Sequence, residues 1–178
     1  MVCAQEAHTQ LDLERVVWVP VGRPPHRSLD RDPGAEQRVR LCELAIAGDD
    51  RFSLSRAEVD REGPSYMADT LSELGSPDDE LTLILGADQA GALSEWHEPE
   101  TVLERATVAV AAREGMEREA VLRRIEPLPG HERTRFFEMP RLDISSTDVR
   151  ERAAAGRPIR YLVPDTVADE ITAESLYA

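Results

Sequence analysis

The stretch "ELTLILGADQAGALSEWHEPETVLERATVAVAAR", residues 80–113, sets two apolar runs on either side of a long connection. "ELTLILG" (80–86) and "ATVAVAAR" (106–113) read as buried strands, each a short and nearly unbroken run of small or branched apolar residues. Strands joined through a helix-length segment run parallel, since an antiparallel partner needs only a tight turn. The rest of the chain repeats this alternation. "RVVWVPVG" (15–22) is a strand-like run ending in Pro and Gly, "RFSLSRAEVD" (51–60) alternates as a half-buried strand, and "RFFEMP" (135–140) is a third. Helical patterns lie between them: "VCAQEAHTQL" near the start, "AEQRVRLCELAIAG" (35–48), "GPSYMADTLSELG" (63–75), and segments near 116–125, 145–155 and 164–176. In the second of these, Val39, Leu41, Cys42, Ala45 and Ile46 fall near one face and Gly48 can end the helix. The expected fold is α/β: one Rossmann-like domain over 1–178, a mostly parallel sheet with helices on both faces.

Composition narrows the function. The 178 residues suit a single domain with a real core, and with only 4% aromatics that core is built from Leu, Val, Ile and Ala. A formal net charge of −14 argues against broad binding to nucleic acid or to an anionic membrane, but not against a small anion in a locally basic pocket. All 21 basic residues are Arg, so any cation that meets a phosphate must be a guanidinium. Cys3 and Cys42 make no disulfide framework, and the four His lack metal-ligand spacing. No apolar run approaches the roughly 20 residues of a membrane span. No basic segment leads into an apolar one as in a signal peptide, so a cytoplasmic location is expected.

In parallel α/β sheets ligands sit beyond the carboxyl ends of strands. Four polar stretches occupy such places: "GRPPHR" after 15–22, "GPSYMADT" after 51–60, "GADQ" after 80–86 and "DISSTDVR" after 135–140. Each has a plain reading and a functional one. Ser145, Ser146 and Thr147 can cap a helix, or with Arg150 one turn on they can cradle phosphate at its positive end. Asp88 can cap the next helix or accept both hydroxyls of a ribose. Trp96 can anchor a loop or stack on a flat ring, and Trp18 reads as core. His26 and Arg27 can be solvated loop residues, or Arg27 can steer polyphosphate.

The order of these pieces resembles the nicotinate mononucleotide adenylyltransferase family of the HxGH-type nucleotidyltransferases. The resemblance rests on "VVWVPVGRPPHR", "SRAEVDREGPSYMADTL", "LTLILGADQAGALSEWHEPE", "ISSTDVRERAAAGRPIRYLVP" and "VADEITAESLY". It implies an enzyme of NAD biosynthesis that transfers an adenylyl group from ATP, with Mg²⁺ on the polyphosphate, to nicotinate mononucleotide. It further implies that Ser145, Ser146, Thr147, Arg150 and Arg27 hold ATP phosphates and Asp88 the ribose. Trp96 would stack on the pyridine ring, and the amides of Met67 and His97 would receive its carboxylate. Tyr66, Thr70 and His26 would complete that pocket. The implied partners are these two small molecules, with neither nucleic acid nor membrane, and a homo-oligomer is left open.

Three departures qualify the match. Met67 stands where the family usually has Thr, and Arg27 where it usually has Lys, which keeps the charge but changes the reach. The family also opens with a strand and a "GGTFDPxHxGH"-like loop, and nothing in this chain before "MVCAQEAHTQL" supplies them. The family's catalytic histidines are therefore expected to be missing, with slow or no turnover by the chain as written. A shortened gene model is the favoured account, because losing a central strand leaves its neighbours with unpaired backbone groups. Two alternatives stay open: a related enzyme such as a phosphopantetheine adenylyltransferase, and a non-catalytic nucleotide-binding remnant.

Overall fold

The computed structural model describes residues 1–25, 32–76, 78–112 and 116–178. Their contacts form two compact units, Met1–Val16 with Ser65–Arg141, and Val17–Pro64 with Leu142–Ala178.

The first unit holds a three-stranded parallel sheet in the order β3 (Leu81–Gly86), β4 (Ala106–Ala112), β5 (Arg135–Glu138). Leu83 lies opposite Val108, and Ala111 opposite Phe137. The two-residue period of a strand divides β4 between two cores. Ala106, Val108 and Val110 join Leu85, Leu93, Val102, Leu103 and Ile125 on one side. Ala109 and Ala111 meet Ala7 and Phe137 on the other. Val108, Ala109 and Val110 are completely buried, which is why this strand reads as an unbroken apolar run. Helices α4 (Met67–Leu74), α5 (Ala87–Gly91), α6 (Pro99–Arg105) and α7 (Met116–Ile125) accompany the sheet, and α1 (Val2–Gln10) contributes Ala7 to the second core. The strands at 80–86 and 106–113 are thus found within a residue of where the sequence sets them.

The second unit holds α2 (Ala35–Ile46), α3 (Ala57–Asp60), α8 (Ser146–Ala154) and α9 (Asp165–Ala173). Its core joins Val149, Ile159, Val167, Ala168 and Ile171, with Leu41, Leu44 and Ala45 of α2 packed against them. A two-stranded sheet pairs β1 (Val16–Trp18) with β2 (Phe52–Leu54), and Trp18 meets Phe52 edge-on at 6.2 Å.

Three expected strands come out shorter, the run at 135–140 ending at Glu138 and the other two earlier still. The run at 15–22 pairs only as far as Trp18, ahead of Pro20, which has no N–H to donate. The run at 51–60 is a strand only to Leu54 and then turns into α3. Ser55 causes the change: its Oγ accepts from the Ala57 amide at 3.2 Å, and the amides of Val59 and Asp60 then bond back to the Arg56 carbonyl. Among the described residues no helix is long and apolar enough to cross a membrane.

Candidate active site

Six of the residues singled out by the sequence fall in the first unit. Tyr66 is the extended residue just before α4, and its carbonyl accepts from both the amide and the Oγ1 of Thr70, each at 3.1 Å. Thr70 is 1% exposed, so this double bond fixes the start of α4 from within the core. No side chain caps the helix there. Met67, its first residue, packs against the main core cluster. The missing side-chain hydroxyl at this position thus leaves an anchored backbone in place.

Trp96 packs against the same cluster. Its amide bonds the Leu93 carbonyl at 3.1 Å, closing a 3₁₀ turn over Leu93–Glu95. The packed-anchor reading of Trp96 is therefore realised, and a half-buried indole still offers a surface beside α6. His97 follows, exposed, and Glu98 adopts a left-handed conformation (φ 49°) so that Pro99 can begin α6. The rings of Tyr66 and His97 lie 4.1 Å apart between centroids, tilted by 31°. The segments carrying Met67 and His97 are thereby brought side by side. Asp88 is exposed in the first turn of α5, directly after β3, with Gly86 as the capping position. It does not cap the helix.

The other predicted residues of the described chain lie in the second unit, at the start of α8. Ser145 is the cap: its Oγ accepts from the Asp148 amide at 3.0 Å and donates to the Asp148 carboxylate at 2.6 Å. That hydroxyl is committed. Ser146 and Thr147 are exposed at the positive end of the helix, and Arg150 donates to Thr147 Oγ1 at 3.4 Å. The Tyr177 phenol lies in reach of Arg150. Burial raises its pKa, the Arg150 cation lowers it, the Asp32 carboxylate raises it and Arg38 lowers it. These charged groups share one neighbourhood.

His26 and Arg27 lie outside the described residues. Arg38 belongs to none of the motifs in the sequence. Its Nε and Nη2 donate to the carbonyls of Val21 and Gly22 at 2.9 and 2.8 Å, and its Nη1 pairs with Asp32. Gly22 is also held from another side, for a Cβ there would collide with the Glu58 carbonyl. No sequence signal marks Arg38, since its partners are backbone carbonyls reached only through folding.

Comparisons with known proteins bear on the family and the fold. The family model described as cytidylyltransferase-like matches residues 1–152. A probable nicotinate-nucleotide adenylyltransferase of Moorella thermoacetica is 37% identical, over 99% of this chain and 84% of its own. One from Roseiflexus sp. is 40% identical, over 99% of this chain and 89% of its own. The nicotinic acid mononucleotide adenylyltransferase of Plasmodium falciparum, solved with NaAD, superposes with a TM-score of 0.69 at 19% identity. It covers 93% of this chain and 83% of its own. At that identity the likeness concerns the fold.

Proposed function

The chain belongs to the nicotinate-nucleotide adenylyltransferase family, and from that premise we propose how its residues divide the work. The activity is adenylyl transfer in NAD biosynthesis. An oxygen of the nicotinate mononucleotide phosphate forms a bond to the α-phosphorus of ATP, the bond from that phosphorus to the β-bridging oxygen breaks, and pyrophosphate leaves. Little covalent chemistry falls to the protein, so its share is in-line placement and stabilisation of charge on the phosphoryl oxygens.

In our reading the start of α8 receives ATP phosphates. Ser146 and Thr147 offer hydroxyls and amides, Arg150 offers a fixed cation, and Ser145 acts by setting the helix end. Arg27 adds a second guanidinium and Asp88 binds the ribose hydroxyls. Trp96 stacks on the pyridine, the amides of Met67 and His97 receive its carboxylate, and Tyr66, Thr70 and His26 bound the pocket. A neutral carboxamide satisfies two converging donors less well, which favours the acid. Enzymes of this kind use a divalent metal with ATP. Among the described residues no group of three or more His, Cys, Asp or Glu is placed to hold one. We assign Mg²⁺ to the ATP polyphosphate, as part of the substrate, and place the reaction in the cytoplasm, both as parts of this proposal.

The observation that carries the substrate reading is the contact of Tyr66 with His97. It sets the start of α4 beside the segment before α6, and a carboxylate needs donors from two such places. The test is incubation of the protein with MgATP and nicotinate mononucleotide, following pyrophosphate release and the dinucleotide by chromatography. Deamido-NAD as product supports the reading. Product from phosphopantetheine instead would overturn it, and calorimetric binding of the mononucleotide without product would keep the substrate reading while favouring the non-catalytic remnant over the active enzyme.

A further inference from the structure

The segment after α9 places a large side chain where the backbone favours none. Ser175 adopts a left-handed conformation (φ 50°). The amides of Ser175 and Leu176 bond back to the carbonyls of Thr172 and Ile171 at 3.3 and 3.0 Å, which closes the helix in a Schellman turn. A second turn follows at once, with the Ala178 amide on the Ser175 carbonyl at 3.3 Å. Its third residue is Tyr177, again left-handed (φ 70°), at the place that glycine usually fills in such a turn. A tyrosine there is strained, and strain of this kind persists only where the surroundings hold it. Here Leu176 and Tyr177 pack on the cluster to which α8 contributes Val149.

Arg150 directly follows Val149 in α8. Among the described residues its guanidinium makes one hydrogen bond, to Thr147 Oγ1 at 3.4 Å, within its own helix. A bond of that length holds a long side chain loosely. Burial pushes the Tyr177 phenol pKa up, and after burial the strongest influence is the Arg150 cation, ahead of Asp32 and Arg38. The hydroxyl end of the ring therefore faces Arg150.

We propose that the Tyr177 hydroxyl is a positioning group of the phosphate site: its oxygen accepts from the Arg150 guanidinium and turns that cation toward Ser146 and Thr147. The assignment rests on the reading given above, that the start of α8 receives the ATP phosphates. A guanidinium carries five N–H donors in a fixed fork, so one can go to the phenol while others meet the ligand. Holding the fork in place before ATP arrives lowers the ordering cost of binding. Tyr177 acts on the ligand only through Arg150.

The test is calorimetric binding of MgATP to the intact chain, Tyr177→Phe, Arg150→Ala and the double variant, with melting temperatures measured alongside. Phenylalanine keeps the ring on the cluster and removes the hydroxyl alone, so melting should change little. Tyr177→Phe should weaken ATP binding about three- to ten-fold, the range expected of one hydrogen bond to a charged group. In the Arg150→Ala background the same change should do almost nothing, because the group it positions has gone. Equal ATP affinity of Tyr177→Phe and the intact chain overturns the proposal. So does a loss of the same size with and without Arg150, since a structural role, or a direct contact of the phenol with ATP, would act independently of that cation. If the intact chain does not bind MgATP, or Arg150→Ala binds it equally well, the phosphate reading fails and the proposal with it. A loss in Arg150→Ala without one in Tyr177→Phe leaves that reading standing and removes only the part given to Tyr177.

Discussion

Ser145 reads from the sequence both as a helix cap and as a phosphate ligand, and in the fold its capping bonds are in place. Its hydroxyl is used twice within the helix end, accepting from the Asp148 amide and donating to the Asp148 carboxylate. Replacing it leaves an amide of α8 without that partner, at a cost of about 1 kcal/mol, and also frees a carboxylate to face incoming phosphate. Ser145→Ala should therefore lower the melting temperature by about 2–4 °C, with a modest loss of ATP affinity. Arg150→Ala should do the reverse, weakening ATP binding about ten-fold or more with little change in melting, because it removes a cation while the helix stays capped. Scanning fluorimetry and calorimetry on the pair decide it, and equal effects in both assays would contradict the division of roles. The capping role was legible in the sequence, since Ser, Ser, Thr and Asp ahead of a helical pattern name a helix start. The ring contact of Tyr66 with His97 was not, because no local pattern relates residues on separate elements.

Elements follow the same rule, with local physics legible and tertiary anchoring hidden. β4 is readable because burial on both faces demands an uninterrupted apolar run, and β3 because Leu81, Leu83 and Leu85 pack on one cluster and Ile84 on the other. "RAEVD" was misread because an alternating five-residue string also fits one helical turn, and only the Ser55 bond to Ala57 decides between them. Arg38 was invisible for a different reason. One guanidinium on α2 ties Val21 and Gly22 to Asp32, which lies beyond the "GRPPHR" stretch in the connection between β1 and α2. Its side chain is only 16% exposed, so the freed carbonyls would not all regain water. Arg38→Ala should destabilise the protein by about 2 kcal/mol in urea unfolding. Arg38→Lys should recover less than half of that, because an ammonium cannot present the planar fork that reaches two carbonyls and a carboxylate at once. Full recovery by Lys would mean that charge alone matters.

For the whole molecule the governing fact is an excess of acid, −14 formally, on a surface whose only strong cations are arginines. Such a chain repels itself at neutral pH, so arginines that gather carboxylates limit the repulsion. Arg56 is the clearest case. It donates to both Glu36 oxygens at 3.0 and 2.8 Å and to Asp60 at 2.9 Å, linking α2 to α3. The hydrogen bond from Arg56 holds the Glu36 carboxyl below its usual range. In the other unit, bonds from Ser76 lower Asp79 in the same way. A carboxyl whose pKa is lower folded than unfolded stabilises the fold above its unfolded pKa, and that contribution is lost as pH falls through the folded value. Both groups are exposed, so each effect is small and weakened by salt. Thermal unfolding followed from pH 7 down through the carboxylate range should show stability falling. In Glu36→Gln, which is neutral throughout, the fall should be shallower, with the stability at pH 7 slightly reduced and the two curves converging in acid. Parallel curves would mean that Arg56 gives Glu36 no net advantage in the folded state. Added salt should shrink the difference between the curves while raising both at pH 7, because screening relieves the repulsion of the whole surface more than it weakens one pair.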